Sequence, residues 1–176
     1  MISLGIDPSL TATGIVILND GKLLEKILIK TKPSEQRTAL NELKRLMQIV
    51  KRIEGVIKKN KIEMVAMEGL SYGARNTSAL IQLSGLNYLI RELLHNNDIP
   101  FTIVAPTTLK KFICGKGNGG KDVLMMETYK RYGVTLSDNN LCDAYGLAKI
   151  AEALIGDIKL TQFQKEVITL LTNKEK

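Results

Sequence analysis

The first 30 residues contain three short segments rich in β-branched and other apolar residues, at positions 2–7, 14–18 and 23–29. Such segments are typical of buried β-strands. The Asp20-Gly21 pair lies between the second and third segments, and this dipeptide favours the tight turn of a β-hairpin. The sequence therefore predicts a sheet whose second and third strands are antiparallel neighbours.

After residue 30 the hydrophobic period becomes that of a helix. Apolar side chains recur at steps of three and four over residues 34–60, with Ser34 as the candidate N-cap. The remaining predicted elements are strands at 62–67 and 101–104, helices at 76–96, 107–112, 121–132 and 140–154, and an amphipathic segment at 161–171.

This alternation predicts one α/β domain over residues 1–176, with a mixed five-stranded sheet flanked by helices. The charged residues 173–176 are expected to form a frayed tail. Repeats, low-complexity tracts and linkers are not evident in the sequence.

The charge balance bears on the partner. The chain has 25 Lys and Arg residues against 18 Asp and Glu residues, a formal net charge of +7. That surplus suits a polyanion such as nucleic acid, although a solubilising surface would have the same composition. Cys114 and Cys142 show neither a disulfide nor a metal-ligand spacing, and no long apolar stretch occurs. We therefore expect a cytoplasmic protein that does not bind membranes.

Two predicted strands end on a carboxylate. Asp7 follows the apolar segment 2–6, and Glu68 follows the apolar segment 62–67. A buried carboxylate is unfavourable unless it is paired, and a neighbouring Arg or Lys is the simplest partner. If the two strands are parallel neighbours, however, both carboxylates lie at the same edge of the sheet, where α/β proteins place their sites.

Asp143 is a third acidic residue in an otherwise apolar setting, because small and apolar residues surround it in the predicted helix 140–154. Carboxylates that converge repel each other, and divalent cations relieve that repulsion. Two such ions would clamp a scissile phosphate, which is the chemistry of phosphodiester hydrolysis.

The segments that carry these acids, Gly5-Ile6-Asp7-Pro8-Ser9 with Thr13-Gly14, Met67-Glu68 and Asp143-Ala144, resemble the RuvC family of Holliday-junction resolvases, particularly its phage-encoded members. The resemblance covers residues 2–151. It implies an RNase H-like fold, a homodimer, and paired nicks across a branched, four-way DNA junction in a bacterial cytoplasm. It also implies two Mg²⁺ or Mn²⁺ ions per active site, with Asp7, Glu68 and Asp143 as metal ligands.

One position departs from the family pattern. The family carries an acid one helical turn before its last carboxylate, where this chain has Asn140. The Asn140 amide oxygen is a weaker metal ligand than a carboxylate, and Asp138 is an alternative. An inactivating replacement at position 140 is a further interpretation. An active nuclease, a catalytically weakened branched-DNA-binding module and a fold-related RNA nuclease therefore all remain open.

A glycine-rich segment at 115–121 nearly matches a P-loop. Asp122 stands where a P-loop has the Ser or Thr that binds Mg²⁺, and the segment follows a predicted helix, so we expect no nucleotide cofactor. The alternatives are a solvated loop or a loop that brings lysines to the DNA backbone. By the resemblance, Lys110 and Lys121 lie near the active site, and Lys121 stabilises charge on the phosphate. The candidate DNA-binding lysines are Lys110, Lys111, Lys116 and Lys121.

The segment after Glu68 is a second candidate DNA contact. Tyr72 is suited to stack on an unpaired base at the junction centre, and Arg75 to bind a phosphate. An ordinary turn before the helix at 76–96 is the alternative for Tyr72.

Overall fold

The computed structural model describes residues 1–70, 77–117 and 120–174, with only the backbone for Thr77, Lys121 and Lys174. Within these residues, five strands form one sheet. The strands are β1 (Ile2–Asp7), β2 (Ala12–Asn19), β3 (Lys22–Lys30), β4 (Met64–Glu68) and β5 (Phe101–Val104). Their order in the sheet is β3-β2-β1-β4-β5.

Helices cover both faces of the sheet. One face packs against the first two helices, and the other packs against the fifth helix and its neighbours. The helices are α1 (Ala39–Lys59), α2 (Thr77–Asn96), α3 (Pro106–Cys114), α4 (Lys121–Tyr132), α5 (Asn139–Ile155) and α6 (Gln162–Lys174). The predicted mixed five-stranded sheet with flanking helices is confirmed.

The strand pairing agrees with the predicted directions. β2 and β3 are antiparallel and joined at Asp20 and Gly21, which have φ angles of 46° and 75°. β1 and β4 are parallel, with Ile6 opposite Met67. The next residue is Asp7 on β1 and Glu68 on β4, so both carboxylates lie at the same edge of the sheet.

The start of β2 differs from the prediction, and a glycine inside the strand explains the difference. β2 begins at Ala12, not at Gly14. A Cβ atom on Gly14 would lie 2.2 Å from the Asn140 carbonyl oxygen, and one on Gly5 would lie 1.9 Å from that of Ala144. Both glycines are therefore strand residues that let α5 lie directly on the sheet.

The start of α1 also differs from the prediction. Thr38 is the N-cap, and its hydroxyl accepts a hydrogen bond from the Asn41 N–H at 3.2 Å. Ser34 lies before the helix, where its hydroxyl accepts a hydrogen bond from the Asn41 side-chain amide. At the other end of the chain, α6 continues to Lys174, two residues into the segment expected to be frayed.

The apolar face of α2 belongs to the core. Leu86, Ile90 and Leu94 are fully buried against the sheet together with residues of α1. No helix in the described ranges has both the length and the apolarity to span a lipid bilayer.

Candidate active site

Strand alternation directs two of the carboxylates toward α5. Successive side chains point to opposite faces of a sheet, so Asp7 shares a face with Gly5, and Glu68 shares a face with Ala66. Gly5 contacts the backbone of α5, and Ala66 belongs to the core cluster that includes α5. Both carboxylates therefore project into the space beneath the beginning of α5.

The contacts of α5 place Asp143 at the same point. The Asn140 carbonyl lies over Gly14, which is the cross-strand partner of Asp7, and the Ala144 carbonyl lies over Gly5. Asp143 lies between these two contacts along the helix and is half-buried. The three acids are separated along the chain but come from β1, β4 and α5, which pack against one another.

The three acids interact electrostatically. Asp7 is 5% exposed, and burial and the charges of Glu68 and Asp143 raise the pKa of its carboxyl to about 9. Burial also raises the pKa of Glu68 to about 7, while a hydrogen bond with Asp7 opposes that shift. The two carboxyl groups therefore share a proton and titrate as a pair.

Asp138 and Asn140 occupy the first turn of α5. The Asp138 carboxylate caps the helix by accepting the Asn140 N–H at 2.8 Å. Its negative charge also contributes to the raised pKa of Asp7, so Asp138 lies within electrostatic reach of that carboxyl. Asn140 is half-buried, and its backbone carbonyl packs on Gly14.

The candidate lysines have different surroundings. Lys110 on α3 is close enough to Glu68 to lower the pKa of that carboxyl. Lys111 instead forms an ion pair with Glu166 of α6 at 3.0 Å. Lys116 is exposed in the turn after α3, and Lys121 is the first residue of α4.

The remaining motif residues are Tyr72, Arg75 and those of the glycine-rich segment. Tyr72 and Arg75 lie outside the described residues. The glycine-rich segment begins at Gly115, whose left-handed conformation caps the end of α3. It therefore follows a helix, whereas a P-loop follows a buried strand.

The loop after Asp7 is held by Thr13, which belongs to the motif of the resemblance, and by Arg45, which the sequence analysis did not select. The Thr13 hydroxyl donates to the Ser9 carbonyl at 2.7 Å and accepts the Ser9 N–H at 3.1 Å. Arg45 donates to the Leu10 carbonyl and, at 3.0 Å, to the Thr31 hydroxyl. Nothing in the spacing of Arg45 along α1 indicates this role, because its partners come from distant segments.

The donor set is suited to a hard cation. Mg²⁺ and Mn²⁺ prefer carboxylate oxygens, and the Asp7 and Glu68 carboxyl groups are buried beside each other, which raises both pKa values. In their present rotamers, no three His, Cys, Asp or Glu side chains of the described residues enclose a single ion. Asp7 and Glu68 are hydrogen-bonded to each other instead.

Comparison with known proteins identifies the family. Residues 3–148 match the family model described as Crossover junction endodeoxyribonuclease RuvC. The chain belongs to this family. The matched range includes Asp7, Glu68 and Asp143, and RuvC proteins are divalent-metal-dependent endonucleases.

Curated RuvC proteins cover most of the chain. The Crossover junction endodeoxyribonuclease RuvC of Nitratiruptor sp. is 31% identical over 137 residues, which are 74% of this chain and 81% of that protein. The protein of the same name from Brachyspira hyodysenteriae is 28% identical over 152 residues, 84% of this chain and 91% of that protein.

Solved RuvC structures show the same RNase H-like fold. Thermus thermophilus RuvC has a TM-score of 0.72 at 23% identity, covering 92% of this chain and 100% of that chain. A structure of T. thermophilus RuvC in complex with Holliday junction substrate has a TM-score of 0.71 at 22% identity, covering 84% of this chain and 90% of that chain.

Proposed function

We propose that this chain resolves Holliday junctions by metal-dependent hydrolysis of DNA phosphodiester bonds, as an enzyme of the RuvC family. The observation that carries the proposal is the convergence of Asp7, Glu68 and Asp143 at one edge of the sheet. These residues lie within the matched family range, and the fold agrees with that of RuvC.

We assign Asp7, Glu68 and Asp143 as metal ligands, with Asn140 or Asp138 completing the set. Two Mg²⁺ or Mn²⁺ ions would activate the attacking water and stabilise the leaving oxygen. Their binding requires the Asp7 and Glu68 carboxyl groups to release the proton they share. Asp138 supports the set because one carboxylate can cap α5 through one oxygen and ligate through the other.

Basic residues around this edge would position the DNA. Lys110 is near Glu68, and Lys121 begins the helix that follows the glycine-rich segment. We assign Lys121 to charge stabilisation on the scissile phosphate, following the family pattern. Contacts with the backbone or with unpaired bases are assigned to Lys110, Lys111, Lys116, Tyr72 and Arg75.

The test is nicking of a labelled four-way junction, beside a linear duplex of the same sequence, in Mg²⁺ and in Mn²⁺. We expect symmetric cuts in the junction that disappear in Asp7→Asn, because the substitution removes a central charge of the ligand set. Asp157→Asn is the matched control, since Asp157 is exposed beyond the end of α5. Equal cutting of junction and duplex would contradict the proposed substrate.

Asn140 favours a second candidate, a branched-DNA-binding protein with weakened catalysis. An amide oxygen carries no charge and binds a hard cation less well than a carboxylate. This candidate predicts junction binding with little nicking, and a large gain of nicking in Asn140→Asp. Nicking by the native chain that Asn140→Asp does not increase would exclude it, and loss of nicking in Asp138→Asn would then identify Asp138 as the fourth ligand.

We further propose that the enzyme is a homodimer, because symmetric cleavage of a junction needs two active sites. Light scattering gives the mass directly, and a dimer is expected at twice the 19.5 kDa of the chain.

We place the enzyme in the bacterial cytoplasm, in agreement with its bacterial relatives. Cleavage of a four-way RNA junction as fast as the DNA junction would instead favour a fold-related RNA nuclease.

A further inference from the structure

A basic cleft lies beside the catalytic edge of the sheet, on the α1 face. Two adjoining hollows of about 250 Å³ each share Ser34, Asn41 and Arg45 in their walls. Leu10 from the loop after Asp7 and Gln82 from α2 close one side. We call this feature the α1 cleft; its cationic side chains are Lys32, Arg37, Lys44 and Arg45.

Among the residues that the structure describes, the α1 cleft has four cationic side chains and one acidic side chain in its walls. Within the described ranges, no carboxylate forms an ion pair with Lys32, Arg37 or Lys44. Glu42 is an acidic residue of the wall, and its carboxylate accepts the side-chain amide of Gln82 at 3.2 Å. Uncompensated cations around a hollow attract an anion, and amide and hydroxyl groups there can donate hydrogen bonds to it.

The opposite end of α1 differs in this respect. Lys58 pairs with Glu54 at 2.5 Å, and Lys59 pairs with Glu25 at 3.3 Å. The helix is 21 residues long, about 30 Å at 1.5 Å per residue, so its two ends lie at opposite edges of the sheet. Lys32, Arg37 and Lys44, which form no such pair with a described residue, lie at the end of α1 nearest to the catalytic carboxylates.

The α1 cleft is physically joined to the catalytic edge through the loop after Asp7. Arg45 donates to the carbonyl of Leu10, which is three residues beyond Asp7. Three residues span at most about 11 Å. DNA rises 3.4 Å per nucleotide along one strand, so a strand bound at Asp7 would present a phosphate to the cleft about three nucleotides away.

We propose that the α1 cleft binds a backbone phosphate of a junction arm, outside the catalytic carboxylates. The inference rests on the proposed function, since it names a second contact with the same DNA. Arg37 and Lys44 supply charge to the phosphate. Arg45 has a different part, because its guanidinium is already bonded to Leu10 and Thr31 and holds the wall of the cleft in place.

The experiment compares the double variant Arg37→Ala/Lys44→Ala with the control Lys58→Ala/Lys61→Ala. Both variants remove two positive charges from exposed side chains, but the control residues lie at the far end of α1 and just beyond it. Fluorescence anisotropy in EDTA measures affinity for a labelled four-way junction and a linear duplex over a range of KCl concentrations. Single-turnover nicking at saturating protein measures the chemical step.

We expect the cleft variant to bind both DNAs about tenfold more weakly than the control, with a salt slope smaller by about 1 to 2 because each lost phosphate contact removes about 0.9. The nicking rate of the cleft variant at saturating protein should stay within about twofold of that of the control. Identical affinities and salt slopes for cleft variant and control would overturn the proposal. A saturating rate that falls as far as the affinity would also overturn it, by placing these side chains in the chemical step.

The mass of the cleft variant tests whether protein, and not DNA, occupies the α1 cleft. A mass that differs from that of the native chain by light scattering would overturn the proposal, because a second copy of the chain would then cover the cleft. Native protein that neither cuts nor prefers the junction would contradict the proposed function. The comparison of cleft and control variants on the linear duplex would still decide whether the cleft binds a DNA phosphate.

Discussion

At the scale of single residues, the fold strongly disfavours ionisation of the Asp7 carboxyl group. Burial raises the pKa of this carboxyl from 3.8 to about 9. Its contribution to stability is therefore fully present below the unfolded pKa and is lost as the pH rises through the folded pKa. In EDTA, the free energy of unfolding should fall between about pH 4 and pH 9 for this reason.

Asp7→Asn removes the titrating group and tests this expectation. The variant should be more stable than the native chain by about 1–3 kcal/mol at pH 8 in EDTA, because asparagine, unlike Asp7, does not have to take up a proton when the chain folds. The difference should shrink toward pH 4. Urea unfolding at several pH values measures it, with Asp157→Asn as the exposed control. A variant less stable than the native chain at pH 8 would contradict the argument.

Ser3 and Thr13 allow a second residue-scale prediction, because both have buried hydroxyl groups with different partners. The Ser3 hydroxyl has no hydrogen-bond partner among the described residues, whereas that of Thr13 bonds twice to Ser9. Ser3→Ala should raise stability by about 1 kcal/mol, and Thr13→Val should lower it by about 1–2 kcal/mol. Equal losses in chemical denaturation would show that the two hydroxyl groups are equivalent.

At the scale of elements, the contact between α5 and the sheet positions Asp143. Gly14→Ala would place a methyl group 2.2 Å from the Asn140 carbonyl, so the helix or the strand must move. We expect a loss of about 1–3 kcal/mol and slower nicking, because α5 carries Asp143.

Gly55→Ala is the matched control for Gly14→Ala. No described atom lies within 4 Å of the position its Cβ would take on α1. Alanine is the better helix former, so this variant should gain about 0.5–1 kcal/mol and nick normally. Similar unfolding curves for the two alanine variants would contradict the assigned role of Gly14.

At the scale of the whole molecule, α5 is anchored to the sheet at both ends. At its far end, the buried Lys149 ammonium donates to the Gly21 carbonyl and the Glu152 carboxylate, each at 2.9 Å. Lys149→Ala would leave Glu152 buried without its cation, and we expect a loss of about 3–5 kcal/mol.

The double variant Lys149→Met/Glu152→Leu removes both charges and should recover most of that stability. Thermal and urea unfolding of the single and double variants give the comparison. A double variant no more stable than Lys149→Ala would show that the loss came from packing and not from an unpaired buried charge.

Much of the architecture followed from local patterns. Strand and helix periods predicted the mixed sheet, and Asp20-Gly21 predicted the β2–β3 hairpin. The errors came where local signals compete. Ser34 and Thr38 are both good N-caps, and only the structure shows that Thr38 caps the helix. Gly14 was predicted to begin a strand. Glycine is required there by the close contact with α5, which the neighbouring sequence does not show.

The sequence by itself determined which segments are strands and which are helices, and it singled out three acidic residues in apolar settings. Both follow from neighbouring residues, because periodicity and local chemistry are local properties. Only the tertiary structure decided which of them meet. The parallel pairing of β1 with β4 brings Asp7 to Glu68, and the contact of α5 with Gly5 and Gly14 adds Asp143. The α1 cleft arises in the same way, from residues far apart in the chain that packing alone brings together.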